Sequence, residues 1–398
     1  MAEGYAGGDT GEAAGWIPEG KLWDEAPAGK AGADRRVCGY ADSTEAGQCG
    51  FEQYHRLQCN GCCTCGKRPD SGWYRIERIF TMIDAFGRNI TYLRLSVTEL
   101  CNLRCRYCMP EDGVCKKGHE DMLTEEEMIR AVEAAASLGI SKVRITGGEP
   151  LVKKNILSIC SRTASVKGIQ EVCVTTNGIL LPEFAQPLQE AGVKRLNISL
   201  DTLDERKYAD LTRRELFREA MKGLEAAMDA GFGKVKVNAV LLGGFNDDEI
   251  PALAELTRKY PVDVRFIELM PMSDNREFGP EAYVPYTTVL ERLPQLIPAA
   301  EQDGVARLYR LPGAKGNVGL ISPMNDHFCG RCNRIRLTAD GKLKPCLHSG
   351  EEYSIKGMSL EEMTEQMKQV VLAKPRCHGQ LSYEQRSAAG RNMNQIGG

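Results

Sequence analysis

The sequence has no apolar run approaching the roughly 20 residues that a helix needs to cross a bilayer. Residues 1–30 are rich in glycine, alanine and acidic residues and contain no apolar stretch, so no secretory signal is visible. These two absences argue against a membrane protein and against export. We therefore expect a soluble cytoplasmic protein.

An excess of positive charge is also lacking. The 51 Lys and Arg residues are balanced by 54 Asp and Glu residues, and the formal net charge is -3. This balance excludes a protein that binds nucleic acid through a generally basic surface, although a local basic pocket remains compatible with it. With 42% hydrophobic residues over 398 positions, the chain is long enough for one large barrel or two ordinary domains.

Cysteine, by contrast, is abundant, with 16 residues. One explanation is a disulfide framework of the kind found in secreted proteins. Clustered cysteines in a large chain without an export signal are better explained as ligands of metal ions or iron–sulfur clusters in a reducing cytoplasm.

From Met82 onwards, short β-branched runs alternate with amphipathic helical runs, which is typical of βα units on a parallel sheet. Six such units are too few for a closed eight-stranded barrel, so the pattern predicts a partial, TIM-like (β/α)6 barrel over residues 82–270. Residues 271–398 form a C-terminal extension. The predicted strands are Tyr92–Val97, Lys142–Thr146, Glu171–Thr175, Arg195–Ser199, Lys234–Val240 and Asp263–Leu269, then Ala306–Tyr309, Val318–Ile321, Arg334–Thr338 and Lys342–Pro345, with helices Leu123–Leu138 and Ser359–Leu372.

Three cysteines follow the first predicted strand with C-x3-C-x2-C spacing. They are Cys101, Cys105 and Cys108, called the first triad below. Three thiolates bind three irons of a [4Fe–4S] cubane and leave the fourth iron open to chelate S-adenosylmethionine. Zinc is the alternative on spacing alone. Tyr107 before the last cysteine, and the place at the end of a first barrel strand, favour the iron–sulfur cluster.

Further motifs follow later strands. Gly147-Gly148-Glu149-Pro150 follows the second strand, where two glycines let the backbone approach a ligand and the carboxylate can hold the methionine ammonium. Thr175 and Ser199 end the third and fourth strands. Each motif alone is explained as an ordinary turn, but their succession predicts an active site at the carboxyl ends of the strands.

A second set of three cysteines has C-x2-C-x13-C spacing. Cys329, Cys332 and Cys346 are called the second triad below. His327 and His348 lie nearby and could complete a zinc site, so zinc remains an alternative to a second cluster. Arg334 and Arg336 lie two apart on a predicted strand and face the same side. Guanidinium groups suit phosphate oxygens, so the pair suggests an anionic substrate at this cluster.

Several stretches together resemble the GTP 3′,8-cyclases, a family within the radical S-adenosylmethionine superfamily that opens molybdenum cofactor biosynthesis. The resemblance covers residues 82–398 and departs from the family pattern at Leu100 and Gly243, where basic residues are usual. The stretches are Ile83–Thr98, Cys108–Glu111, Val143–Gly148, Lys236–Asn238, Phe266–Pro271, Cys329–Cys346 and the glycine-glycine tail Met393–Gly398.

The resemblance implies two [4Fe–4S] clusters, one on each triad, and it implies contacts of Tyr107, Gly148, Ser199 and Met270 with S-adenosylmethionine. It assigns Arg94, Arg334 and Arg336 to catalysis. Contacts with GTP are implied for Arg94, Arg144, Thr175, Lys236, Arg334, Ile335 and Arg336.

The implied reaction begins when a 5′-deoxyadenosyl radical takes the C3′ hydrogen of GTP, after which C3′ bonds to guanine C8. The product is 3′,8-cyclo-7,8-dihydro-GTP, and the glycine-glycine tail would enter the active site. The implied partners are the cyclic pyranopterin monophosphate synthase that uses the product, an electron donor, and a second copy in a homodimer. Neither nucleic acid nor a membrane is implied.

Residues 1–81 lie outside this resemblance. Six cysteines in the segment could bind zinc or another cluster with His55, but we expect a disordered tail, or translation that starts at Met82, rather than a metal module. These cysteines are Cys38, Cys49, Cys59, Cys62, Cys63 and Cys65.

Two other functions are considered. One is a radical S-adenosylmethionine peptide maturase with an auxiliary cluster, and the other is a non-enzymatic iron–sulfur or metal-binding protein. The Arg334–Arg336 pair and the glycine-glycine tail argue against the maturase. The non-enzymatic protein would bind each cluster with four cysteines, whereas each set here has three.

Overall fold

A computed structural model describes residues 82–115, 117–272, 277–299, 304–324 and 328–397. All of these described residues belong to one unit. The N-terminal cysteines and His327 lie outside the described residues, so the predictions for them stay predictions. No helix in the described ranges is both long and apolar enough to cross a membrane.

Within the described residues, twelve strands form one continuous sheet in the order β12-β11-β10-β1-β2-β3-β4-β5-β6-β9-β8-β7. Their bounds are β1 Tyr92–Ser96, β2 Lys142–Thr146, β3 Glu171–Thr176, β4 Val193–Ser199, β5 Lys234–Leu241, β6 Val262–Glu268, β7 Ile297–Pro298, β8 Arg307–Arg310, β9 Val318–Ile321, β10 Arg334–Leu337, β11 Lys342–Lys344 and β12 Tyr353–Ser354.

The six strands β1 to β6 are parallel neighbours in chain order, which confirms the prediction of an open, partial (β/α)6 barrel. Two later strands extend this parallel set, because β10 pairs with β1 and β9 pairs with β6. Short antiparallel strands continue beyond both. The C-terminal region therefore adds strands to both edges of the barrel sheet, which the sequence did not indicate.

Helices connect the parallel strands and cover the outer face of the sheet. The helix predicted at Leu123–Leu138 begins at Glu125, because the Thr124 side chain accepts from the Glu127 amide and the Glu127 carboxylate accepts from the Thr124 amide. The helices are α1 Glu125–Ser137, α2 Ile156–Ser165, α3 Leu181–Glu190, α4 Glu205–Thr212, α5 Phe217–Asp229, α6 Ile250–Lys259, α7 Tyr286–Arg292, α8 Leu360–Leu372 and α9 Met393–Ile396, with 3-10 turns at His119–Asp121, Pro150–Val152, Asp247–Glu249, Pro280–Ala282 and Phe328–Arg331.

The two faces of the barrel strands differ in chemistry. On β1, Leu93 and Leu95 are fully buried in the main hydrophobic core, whereas Arg94 lies between them and alternates to the other face. Parallel strands packed on both sides are normally apolar throughout. The polar inner face of this sheet is therefore a departure that needs a functional explanation.

The two cysteine triads lie at opposite ends of the parallel strands. The first triad follows the carboxyl end of β1, while Cys329 and Cys332 precede β10, which runs parallel to β1. Because β11 is antiparallel to β10, Cys346 beyond its end returns to the amino end of the strands. A strand of five residues such as β1 spans roughly 17 Å at about 3.3 Å per residue.

Helix α5 is positioned by the close approach of one glycine to the loop after β3. A Cβ atom on Gly223 would lie 1.9 Å from the carbonyl oxygen of Gly178, so the helix could not keep its present place. We expect Gly223→Ala to lower the free energy of unfolding by about 1–3 kcal/mol, despite alanine's better helix propensity. Thermal or urea unfolding measures this change.

Gly233→Ala is the matched control. A Cβ atom there meets only the Lys194 carbonyl oxygen at 3.8 Å, an ordinary contact, so stability should not fall. Equal unfolding midpoints for the Gly223→Ala variant and the unchanged chain would contradict the packing argument.

Candidate active site

The first triad lies in the loop that follows β1 and is largely enclosed. The loop is held by its own backbone, since the Cys108 amide donates to the Cys105 carbonyl at 2.9 Å and the Leu103 amide points at the Cys101 sulfur at 3.4 Å. Burial raises the pKa of Cys101 to about 11 and that of Cys108 to about 12, and it also raises the pKa of Cys105 well above its ordinary value. Thiols in this setting bind a metal cluster only by losing protons as it assembles.

Two of the three thiols, those of Cys105 and Cys108, also have their pKa raised by the charge of another member of the triad. The thiolates of Cys108 and Cys101 raise the pKa of Cys105, so the three sulfurs lie close together. In the described part of the chain, no three His, Cys, Asp or Glu side chains converge tightly enough to hold a single ion. A cubane distributes its thiolates over separate irons, so this donor set fits a three-thiolate cluster better than a mononuclear zinc site.

The Gly147–Gly148 pair allows the loop after β2 to pack directly on the cysteine loop. A Cβ atom on Gly148 would lie 2.3 Å from the Leu100 carbonyl oxygen, and Gly147 has a φ of +158°. The Gly148 amide donates to the Thr98 carbonyl at 2.8 Å. Any larger residue here would displace the first triad.

The carboxylate of Glu149 differs from the sequence-based expectation. It is 1% exposed and accepts from Thr176 Oγ1 at 2.8 Å and from the Asn177 amide at 2.7 Å. Burial raises the pKa of Glu149 to about 7. The side chain joins the ends of β2 and β3, which leaves the glycine backbone as the part of the motif that faces the triad.

The residues assigned to S-adenosylmethionine gather at the same end of the barrel. Tyr107 belongs to the first triad loop, Gly148 follows β2, Ser199 ends β4 and Met270 follows β6. Tyr107 Oη donates to Asp201 Oδ2 at 2.8 Å, and the Val240 amide donates to the other oxygen at 2.7 Å. Sequence analysis missed Asp201 as a partner of Tyr107, although the residue lies two positions after Ser199.

Three arginines lie side by side across neighbouring strands inside the barrel. Arg94 on β1 is in register with Arg144 on β2 and with Arg336 on β10. Burial, together with the positive charge of Arg336, holds the pKa of Arg94 well below its ordinary value. Burial and the charge of Arg334 lower the pKa of Arg336 to about 10. This concentration of buried positive charge favours an anion.

The opposite wall of the barrel adds two more basic residues, Lys236 and Arg265. Burial and Arg265 lower the pKa of Lys236 to about 5, and burial and Arg144 lower the pKa of Arg265 to about 10. Asp263 lies 3.9 Å from the Lys236 amine but 2.9 Å from Lys234. Sequence analysis missed Arg265, for which the signal was a charged residue inside an otherwise apolar β6.

These basic residues lie mid-strand, whereas the sequence predicted strand ends. Arg94, Arg144, Lys236 and Arg336 each have strand residues on both sides. The carboxyl ends hold the first triad and its neighbours. The four basic residues line the interior of the barrel, between the carboxyl and amino ends of the strands, where a polar lining leaves room for a ligand.

The remaining residues assigned to GTP differ in their surroundings. Arg144 Nη1 donates to Thr175 Oγ1 at 3.2 Å, and the Arg334 guanidinium lies 5.4 Å from the centre of the Tyr92 ring. Ile335 is fully buried in the hydrophobic core, so its side chain faces away from the arginines. Only the main chain of Ile335 is left to contact a ligand in the barrel.

The second triad is carried by the turn before β10 and by the segment after β11. The Cys332 amide donates to the Cys329 carbonyl at 3.1 Å. Although burial raises it, the charges of Lys374 and Arg334 hold the pKa of Cys332 below its ordinary value. This thiol therefore ionises more readily than those of the first triad.

One ring nitrogen of His348, a possible zinc ligand by sequence, already has a hydrogen-bonding partner. Its Nδ1 lies 3.0 Å from Ser387 Oγ, its ring packs against His378, and it is 8% exposed. Burial lowers the pKa of His348 to about 3, so the ring is neutral. Its surroundings suit a packed core histidine.

The C-terminal tail enters the barrel from the end that carries the first triad. Asn394 Nδ2 donates to the Glu99 carbonyl at 2.8 Å, and Arg336 Nη1 donates to the Gly397 carbonyl at 2.6 Å. A Cβ atom on Gly397, whose φ is +80°, would lie 2.8 Å from Thr146 Cγ2. Glycine is therefore needed where the tail meets the arginines.

The two departures from the family pattern lie apart from the arginines. Leu100 is 46% exposed beside the first triad. A Cβ atom on Gly243 would lie 2.5 Å from the Glu281 carbonyl oxygen, so a basic side chain at this position would require the Glu281 segment to move.

Two protein-family models match the chain, one described as the radical SAM superfamily over residues 95–257 and the other as Molybdenum Cofactor Synthesis C over residues 262–379. The chain is 46% identical over 321 residues to a GTP 3′,8-cyclase of Alkaliphilus oremlandii, which covers 80% of this chain and 100% of that protein. A GTP 3′,8-cyclase of Pelotomaculum thermopropionicum is 45% identical over 329 residues, with the same coverage.

Among solved structures, SuiB of Streptococcus suis bound to the precursor peptide SuiA has a TM-score of 0.53 at 15% identity, covering 73% of this chain and 67% of that chain. This likeness concerns the fold alone. The identities above, together with the two family models, are sufficient to assign the family. The chain belongs to the GTP 3′,8-cyclase family of the radical S-adenosylmethionine superfamily, which uses a [4Fe–4S] cluster and S-adenosylmethionine.

Proposed function

We propose that the protein is a GTP 3′,8-cyclase that converts GTP to 3′,8-cyclo-7,8-dihydro-GTP in the first step of molybdenum cofactor biosynthesis. The observation that carries this proposal is the row of buried arginines, Arg94, Arg144 and Arg336, between two cysteine triads. A triphosphate would place negative charge beside these buried cations. The relatives' shared name supplies the reaction.

The first triad would hold a [4Fe–4S] cluster with one open iron, and there one electron cleaves S-adenosylmethionine to supply the radical that starts the cyclisation. The protein's own part is to orient the cofactor. The backbone of Gly148 faces the triad, Tyr107 is fixed by Asp201, and Ser199 and Met270 lie at neighbouring strand ends. These four residues are proposed to contact S-adenosylmethionine.

Cys329, Cys332 and Cys346 would hold another three-thiolate cluster, which would supply an iron able to bind the guanine. Zinc is less well supported there, because His348 is engaged by Ser387. The strands between the triads are roughly 17 Å long, which leaves space for a nucleotide. The nucleotide's base would lie at the second triad and its ribose towards the first, where the hydrogen is removed.

GTP would be held along its length by the barrel lining. Arg94, Arg144, Lys236 and Arg336 are proposed to bind the triphosphate, with Arg265 as a further cation of the same lining. Thr175 orients Arg144 through their hydrogen bond. Arg334 and the main chain of Ile335 lie next to the second triad and would contact the guanosine. Arg94, Arg334 and Arg336 would also act in catalysis by keeping the ribose in place during cyclisation.

Three partners complete the proposal. The cyclised product would pass to a cyclic pyranopterin monophosphate synthase, an electron donor would reduce the first cluster, and two copies of the chain would form a homodimer. The family membership supports these partners. The proposed division of the chain remains 82–270 for the barrel and 271–398 for the second cluster, GTP and the tail.

The direct test is anaerobic reconstitution of the full chain with iron and sulfide, followed by S-adenosylmethionine, a reductant and GTP. We expect 5′-deoxyadenosine to form in a GTP-dependent manner, together with a cyclised product of GTP detected by mass spectrometry. Because the barrel cations select a triphosphate, guanosine should support little turnover. Equal 5′-deoxyadenosine formation with and without GTP would refute the cyclase assignment.

Arg336→Ala removes one cation of the barrel lining and the donor to Gly397. We expect GTP turnover to fall by at least about 100-fold, while the absorbance and iron content of the first cluster are retained. Arg218→Ala is the control, because its side chain is exposed and pairs only with Glu205 on the surface. Turnover of the Arg336→Ala variant equal to that of the control would remove this arginine from the site.

Cys329→Ala tests the second cluster. We expect the variant to lose cyclase activity and about half of its iron, because one of two three-thiolate clusters can no longer assemble. Iron analysis and cyclised-product formation are measured on the same sample. Full cyclase activity in this variant would overturn the second-cluster assignment.

GTP binding should take up a proton at Lys236. Its pKa is about 5 in the protein without substrate, so the amine is neutral near neutral pH, and an adjacent triphosphate favours the charged form. The contribution of this group to GTP affinity therefore falls as pH rises above about 5, by up to about tenfold per pH unit, until the pKa of the amine in the complex is passed. Calorimetry in buffers of different ionisation enthalpy counts the protons.

Lys236→Met keeps the length of the side chain but cannot be charged. The γ-phosphate titrates equally in both proteins, so the difference in proton uptake belongs to Lys236. The same proton count for the two proteins would show that the amine does not meet the triphosphate.

A further inference from the structure

The stretch at the start of the described chain contains a buried arginine that the proposed function does not use. Arg88 is 8% exposed, and its Nε lies 2.5 Å from Asp84 Oδ2. The other oxygen of Asp84 accepts the amides of Phe86 and Arg88, each at 2.9 Å. Asp84 therefore fixes the guanidinium in one orientation, with its two terminal nitrogens directed away from the turn.

Those two nitrogens bind backbone carbonyls of distant segments. Arg88 Nη1 donates to the Cys329 carbonyl at 2.8 Å and to the Arg376 carbonyl at 3.0 Å, and Nη2 donates to the Pro375 carbonyl at 2.7 Å. Cys329 is the first member of the second triad. Arg88 thus joins the triad's leading turn to the segment that follows α8.

A second buried cation stands in that same segment. Lys374 is 3% exposed, and its Nζ donates to the Pro345 carbonyl at 2.8 Å and to the Arg334 carbonyl at 2.9 Å. Pro345 directly precedes Cys346, and Arg334 lies two residues after Cys332. Lys374 therefore holds the backbone beside the two members of the triad that Arg88 does not reach.

We propose that Arg88 and Lys374 are positioning residues that hold the second triad in the shape required for cluster binding. This inference rests on the proposed second cluster. Neither side chain is assigned to substrate or cofactor, and neither touches the iron in this proposal. Each acts through carbonyls next to cysteine ligands.

Two physical arguments support this role. Hydrogen bonds from a charged donor are stronger than neutral ones. Because Lys374 is adjacent to Pro375, whose carbonyl accepts from Arg88, the hydrogen bonds of Arg88 and Lys374 act on the same segment. A cubane with three thiolates also carries net negative charge, which the buried ammonium of Lys374 offsets, whereas Asp84 already compensates the charge of Arg88. Charge and hydrogen bonds around a cluster set its reduction potential, so removal of either cation should alter it.

The experiment uses the full chain with the first triad changed to alanine, so that remaining iron belongs to the second triad. Arg88→Lys keeps the charge but loses the planar fork, and Lys374→Met keeps the length but loses the charge. Iron per chain, the electron paramagnetic resonance spectrum and the midpoint potential are measured after anaerobic reconstitution. Thermal unfolding of each iron-free protein reports on the fold.

We expect iron affinity in both variants to fall by about 10- to 100-fold, and the potential of any retained cluster in Lys374→Met to shift to more negative values. Lys368→Met is the matched control, because Lys368 lies near the end of α8, the helix that precedes Lys374, but is exposed and pairs with Glu365. The control should keep the parent's iron, spectrum and potential. The iron-free variants should unfold at the temperature of the iron-free parent.

Two results would overturn the inference while leaving the second cluster intact. One is iron content, spectrum and potential in both variants equal to those of the parent. The other is a loss of iron that accompanies unfolding of the iron-free variants, which would make the two cations general fold supports. A parent protein that binds no four-iron cluster would instead overturn the second cluster itself, and this inference with it.

Discussion

The structure depends on the burial of like charges inside a barrel. Arg94, Arg144 and Arg336 occupy one level of three adjacent strands, and each neighbour makes the charged state of Arg94 less favourable. Burying charges costs free energy unless opposite charges compensate them. The fold bears that cost because the outer faces of the same strands pack residues such as Leu93 and Leu95 into a continuous core. We propose that a triphosphate supplies compensating charge here.

The direction of the strands decides how the chemistry is divided. The first triad lies at the carboxyl ends and the second at the amino ends, and the cations lie between them. The C-terminal region contributes to both edges of the six parallel strands, since β10 pairs with β1 and β9 pairs with β6. One of these strands brings Arg334 and Arg336 beside Arg94. The tail then reaches the same cations from the first triad's end, through Gly397 and Arg336.

Much of the fold was readable from the sequence because its signals are local. Alternating apolar runs located the six barrel strands to within a few residues, and the Thr124–Glu127 capping box located the start of α1. The Glu149 carboxylate was expected to hold the methionine ammonium, but it accepts hydrogen bonds from Thr176 and Asn177. A local motif cannot show that these two residues lie beside it. Arg265 and Asp201 escaped notice for the same reason, as their partners are remote in sequence.

By itself, the sequence determined the two cysteine triads and the partial barrel, because spacing and periodicity are properties of neighbouring positions. Its resemblance to a known family supplied the family and most of the basic residues in the lining. Only the tertiary structure decided that the triads lie at opposite ends of the strands, that Arg94, Arg144 and Arg336 share one level, and that Arg88 and Lys374 support the second triad. These facts depend on strand order and on contacts between distant positions, such as that between Arg88 and Arg376, which lie 288 positions apart. Register and packing set them, and no local pattern encodes either.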